Sequence, residues 1–162
     1  MQVSGLLKII NQIHTDCHKL CFQALGEHLP VAGNIGVFCH SKNEYELFTK
    51  IRGELTYPSD NPNQKYFLLK EPIVIGSATY THLYIRKPDP TPYGKYLGDV
   101  DFIMEEQEYS EFKNSVQNGL IKGAEIYDRP SWETVQITDQ NINSVAYIST
   151  KEFSEKVRVK FD

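Results

Sequence analysis

Gly98-Asp99-Val100-Asp101-Phe102-Ile103-Met104 has the form of a buried strand, and the chain carries a second copy of it. Residues Gly33-Asn34-Ile35-Gly36-Val37-Phe38 keep the same order: a glycine, a short polar residue, a β-branched residue, a small or acidic one, then large apolar ones. The residues beyond each stretch also agree. Glu44-Tyr45-Glu46-Leu47-Phe48 begins ten residues beyond Asn34, and Glu108-Tyr109-Ser110-Glu111-Phe112 begins nine beyond Asp99. The pattern is one unit used twice, at an offset of about 65 residues.

The bulk properties are ordinary. A chain of 162 residues makes one domain, or two small halves sharing a core. Its 40% apolar and 23% charged residues fit a globular protein. The formal net charge is -4, and no basic run exceeds two residues, so no nucleic-acid partner is expected. A local site can still oppose the global charge and take an anion. Cys17, Cys21 and Cys39 make an odd count, unlike a disulfide framework. There is no signal-type apolar run and no stretch of the ~20 apolar residues that a membrane span needs. A cytoplasmic protein without a membrane partner is the expectation.

Taken in order, residues 3 to 28 read as a helix, with Leu6, Ile10, Ile13, Cys17, Leu20 and Ala24 on one apolar stripe. Gly26 weakens its last turn and Pro30 ends it. His14 and His18 are four apart, as are Cys17 and Cys21, a spacing that zinc can use. The plainer reading places Cys17 in the core as a small hydrophobe, with the histidines at the stripe's border.

The first unit comes next. Ile35 to Cys39 is a strand, and Ser41 with Glu44 forms a capping box. The helix beyond it turns Tyr45, Phe48 and Ile51 inward and stops at Gly53. Strands are expected at 55–57, at 66–75 with a break at Pro72, and at 79–86. The connector, residues 87 to 98, carries three alternating prolines that hold it extended; a linker and a lid both fit. The second unit repeats the plan: a strand at 99–104, a helix at 105–118 with Tyr109, Phe112 and Val116 inward, and strands at 124–128, 132–138 and 144–150. Lys156 to Phe161 alternates basic and apolar residues, as an exposed edge strand does.

Two β-α-β-β-β units in tandem resemble the vicinal oxygen chelate superfamily, which includes glyoxalase I, extradiol dioxygenases and bleomycin- and fosfomycin-resistance proteins. The resemblance covers residues 33 to about 150 and rests on element order and the internal repeat. An added N-terminal helix is similar to a glyoxalase-like branch. The implied fold is α+β: a cupped mixed sheet from two modules, 33–98 and 99–162, with a helical segment, 1–32, in front. The family's members often pair, which allows a homodimer.

The resemblance also implies a site. In the family, metal ligands come from the first and last strands of each module, and the metal acts as a Lewis acid. The matching positions here are Asn34, Tyr84, Asp99 and Tyr147, only one of them a strong hard-metal ligand. Strand alternation adds His40, His82, Arg86 and Asp101 to the same face. A divalent metal on His82 and Asp99 is conceivable, and the cofactor is otherwise open. Each residue also has a structural reading. Asp99 can cap a loop amide near Gly98, Arg86 can pair with Asp99 or Asp101, and a lone histidine such as His82 is often a satisfied structural residue.

Phosphate-binding, hydrolase and zinc-protease motifs are missing from the sequence. The expectation is a small-molecule binding protein or isomerase/lyase-type enzyme. Its ligand would be small, polar and anionic, with Arg86 on an anionic oxygen and His82 or Asp99 as acid/base groups. The alternative is a non-catalytic binding module that has lost the family's metal site.

Overall fold

The structure, a computed structural model, describes residues 2–88, 90, 95–128 and 133–155. Most of the connector between 89 and 94, Trp132, and the strand expected at 156–161 lie outside the described residues.

The elements run in the expected order, except that the first module has three strands where four were expected. Helix α1 (Val3–Leu25) comes first. The first module holds β1 (Val31–Phe38), α2 (Lys42–Leu55), β2 (Phe67–Ile75) and β3 (Ala78–Arg86). The second holds β4 (Gly98–Met104), α3 (Glu106–Gln117), β5 (Ala124–Asp128), β6 (Glu133–Asp139) and β7 (Ile142–Thr150). The strands form one mixed sheet in the order β2-β3-β1-β4-β7-β6-β5. Within each module the first strand pairs parallel with the last, β1 with β3 and β4 with β7. The modules meet where β1 and β4 run antiparallel. The fold is α+β, and the sheet curves as a cup.

Helices α1, α2 and α3 pack on one face. Ile35 and Val37 of β1, Leu83 and Ile85 of β3, and Val100 and Phe102 of β4 share a core with Phe48 and Ile51 of α2 and with Tyr109 and Phe112 of α3. Helix α1 brings Leu6, Ile10, Ile13, Cys17, Leu20 and Cys21 to the same core, all of them buried. It lies mainly across β7 and β4 of the second module and reaches β1 and β3 of the first, where His14 bonds the Tyr80 hydroxyl at 2.7 Å. Two further polar contacts tie it down: the Ser144 hydroxyl donates to Asp16 Oδ2 at 3.1 Å, and the Cys17 thiol donates to the Val145 carbonyl at 3.3 Å. At Gly98 a β-carbon would meet Ile13 of α1 and the Gly36 carbonyl, so only glycine lets helix and strand approach this closely.

Local chemistry explains the helix ends. Gly26 adopts φ +72° and its N–H donates to the Phe22 carbonyl, so it caps α1 and does not merely weaken it. Ser41 accepts from the Glu44 N–H at 3.1 Å, the first half of the capping box; Glu44 reaches back to the N–H of His40 at 3.1 Å. Gly53 does not stop α2. The helix runs on to Leu55, which packs against the core, and Thr56 closes it by donating its hydroxyl to the Arg52 carbonyl at 2.9 Å. The strand expected at 55–57 therefore shrinks to one bridge, Thr56 with Leu69.

Candidate functional site

The face opposite the helices carries the polar residues. Strand alternation sets them in rows across the sheet. Gly36 of β1 lies between Tyr84 of β3 and Asp99 of β4, and Asp99 lies beside Val145 of β7. One step along the strands, Asn34 faces His82, which faces Leu68 of β2. On the other module Asp101 faces Tyr147, which faces Gln136 of β6. Asn34 and Asp101 each stand two residues from the Gly36–Asp99 pair, so both rows meet at the junction of β1 and β4.

Gly36 is what makes room at the centre. A β-carbon there would run into the Asp99 carboxylate, so the missing side chain is the space the carboxyl occupies. Asp99 is partly exposed as a residue, but its carboxyl is desolvated, and burial pushes its pKa up to about 8. The Asp101 charge adds to the rise. Arg86 and the backbone amides of Asp99 and Gly36 oppose it without overcoming it. Burial and the second carboxyl, two residues away, thus both favour the protonated form of Asp99.

Asn34 is the other unusual group. It is 1% exposed, and among the described residues neither its Oδ1 nor its Nδ2 has a hydrogen-bond partner. A buried primary amide with all its valences unmet is costly unless something fills the space before it.

The remaining residues divide between interior and rim. Arg86 stacks its guanidinium over the Phe38 ring at 4.8 Å, and Phe38 packs with Tyr96, Val145 and Tyr147 on this face. His82 Nδ1 shares a hydrogen bond of 2.9 Å with the Thr81 hydroxyl. His40 sits just past β1, exposed; its Nε2–H donates to the Tyr96 carbonyl at 2.9 Å, and Nδ1 lies 3.3 Å from Glu44 Oε1. It fastens the end of the connector, at the edge of the rows formed by the others.

Tyr66 is a member that the sequence did not single out. Its ring lies 5.3 Å from that of Tyr84, and burial pushes its hydroxyl pKa well up, helped by the nearby charges of Asp101 and Asp99 and by Tyr84 and Tyr147. Counting back by two from Leu68, which faces His82, puts Tyr66 on this face. Gln136, buried between core-facing Val135 and Ile137, follows from the same rule.

The donor set does not fit the metal that the resemblance implies. Asn34 offers a neutral amide oxygen and not a carboxylate, and β1 separates His82 from Asp99. Among the described residues no group of three His, Cys, Asp or Glu is placed to hold a metal ion. On α1, Cys17 and Cys21 are buried in the core, His14 Nδ1 bonds the Tyr80 hydroxyl at 2.7 Å, and His18 stands edge-on to Phe102. No described helix is long and apolar enough to cross a membrane.

No family model matches the chain, and no curated protein sequence matches it. Among solved structures, a structural-genomics protein described as EC4020 is 14% identical, with a TM-score of 0.53 over 93% of this chain and 92% of its own. The fosfomycin resistance protein FosX from Listeria monocytogenes is 15% identical over 75% of this chain and 93% of its own, with a TM-score of 0.26. A Streptomyces coelicolor methylmalonyl-CoA epimerase is 14% identical over 75% of this chain and 98% of its own, with a TM-score of 0.34. At those scores the last two carry no argument. The first shows a shared fold, and its coverage leaves fewer residues unmatched than α1 contains, so the likeness reaches into the added helix.

Proposed function

We propose that the cup binds a small polar molecule and moves a proton on it, as an isomerase- or lyase-type site. The observation that carries this is the pairing of a desolvated carboxyl, Asp99, whose burial favours the protonated form, with an unsatisfied buried amide, Asn34, on one face. Asn34 offers a donor and an acceptor to a ligand that has both, such as a hydroxy or oxo acid. Asp99 supplies a proton held until about pH 8. In an isomerisation, the His82 imidazole takes the proton from carbon next to a carbonyl while Asp99 gives its own to the carbonyl oxygen. Reprotonation at carbon and return of the O–H proton to Asp99 restore both groups. Arg86 is the cation of the cup and the partner for an anionic oxygen of the ligand.

The test is deuterium exchange. Small hydroxy and oxo acids that raise the melting temperature are incubated with the protein in heavy water, and the ligand's C–H signals are followed by NMR. Loss of the signal next to the carbonyl, abolished by Asp99→Asn and by His82→Ala, supports proton transfer. Stabilising ligands whose C–H signals all persist refute it and favour a second reading, a non-catalytic binding module. The stacking of Arg86 on Phe38 supports that second reading, because there Arg86 serves packing.

A further inference from the structure

We infer that the cleft at the outer edge of the first module is a site for a dianion of the phosphate class. Pairing between β2 and β3 begins only at Phe67 with Leu83, so the last residues of β3 pass beyond the end of β2. The chain before β2 fills the gap as a built wall, not a loose loop. The Gln64 N–H donates to the Asn61 carbonyl at 3.1 Å, its side-chain amide donates to the Tyr66 carbonyl at 2.6 Å, and the Ser59 hydroxyl donates to its Oε1 at 3.0 Å. With α2 on one side and residues 87 and 88 on the other, this wall encloses a cavity of about 400 Å³.

Four basic residues line it, Arg52, Lys65, Arg86 and Lys87, and among the described residues no acidic one does. In a chain of net charge -4, gathering four cations in one cleft works against their mutual repulsion. Arg52 is the most telling. Its guanidinium lies 3.8 Å over the Phe67 ring, and among the described residues its buried Nε has no hydrogen-bond partner and it forms no ion pair. A buried cationic donor without an acceptor calls for an anion. Two arginines and two lysines exceed what one carboxylate needs and suit a phosphate, whose oxygens accept from several donors at once. Tyr84 and Arg86 also belong to the cup. On the reading of the cup as a ligand site, one molecule would span both, with its phosphate in the cleft.

The probe is inorganic phosphate, titrated by calorimetry at fixed ionic strength. Saturable millimolar binding is expected, weakened about tenfold by Arg52→Gln and by Lys65→Gln. Lys65 is exposed, so its variant remains informative if the Arg52 variant folds poorly. No saturation by about 10 mM overturns the inference. Equal binding in wild type and both variants marks an adventitious ion only and also overturns it. Acetate competing as well as phosphate overturns the phosphate class. Phosphate binding that persists when no ligand shows exchange in the cup keeps this inference and removes the other.

Discussion

Replacing Asp99 with asparagine tests the electrostatics of the cup without any ligand. The folded protein holds the Asp99 proton to about pH 8, whereas the unfolded chain releases it near pH 4. Between these values the folded state binds more protons, so this group lowers stability as pH rises through the window, and its cost is constant above it. A shift of this size corresponds to at most about 6 kcal/mol. Asp99 is partly exposed, so solvent relaxation around the carboxylate reduces the cost to about 2 kcal/mol. The amide of Asp99→Asn keeps the shape of the neutral acid and never ionises. The variant should match the wild type near pH 4 and become more stable as pH rises, with the gain levelling off above pH 8. Urea denaturation of both proteins at half-unit pH steps gives the difference curve, in which the other titrating groups cancel. A flat difference, or a variant that loses ground towards pH 8, refutes the reasoning.

Other perturbations separate packing from function. Asn34→Leu removes an unsatisfied amide and should raise stability by about 1–2 kcal/mol in thermal melts while abolishing ligand-induced stabilisation; a loss of stability would mean that Asn34 is structurally satisfied. Gly36→Ala forces the Asp99 carboxylate aside and should cost about 1–3 kcal/mol in urea melts, most of it regained in the double variant with Asp99→Ala. Glu133 ties β6 to α3 by accepting from the Tyr109 hydroxyl and the Lys113 ammonium, each at 2.8 Å. Burial alone would raise its pKa, but these bonds bring it below the usual value. Glu133→Gln should therefore cost about 1 kcal/mol at pH 7, and the difference should fade as pH drops through the folded carboxyl's pKa.

The repeat of Gly98–Met104 in Gly33–Phe38 made the fold legible, because each copy alternates core and cup residues around the same glycine-led start. The capping box at Ser41 and the inner faces of α2 and α3 were equally plain, since they depend on local spacing. What escaped depends on distant contacts. Gly26 and Gly53 both follow apolar stripes, but only Gly26 turns left-handed; Leu55 has core to reach beyond Gly53, and α2 continues. Gly33, at φ +115°, lies within the irregular stretch of β1–β4 pairing, and the strand begins earlier than its apolar run suggests, at Val31. In the cup, alternation identified which residues share a face. It could not show that Tyr66, outside the paired strands, feels the charges of both aspartates, or that Asn34 has no partner among the described residues. Both facts are set by what stands across the sheet.

The position of α1 bears on how the protein behaves at low concentration. The helix bonds the second module through Asp16 and Ser144 and the first through His14 and the Tyr80 hydroxyl of β3, so it ties the halves of one chain together on the side away from the cup. Trading modules with another copy would require lifting this helix from the core. Ligand binding in the cup should then be indifferent to dilution: the same affinity at nanomolar as at micromolar protein, whether or not copies pair through another surface.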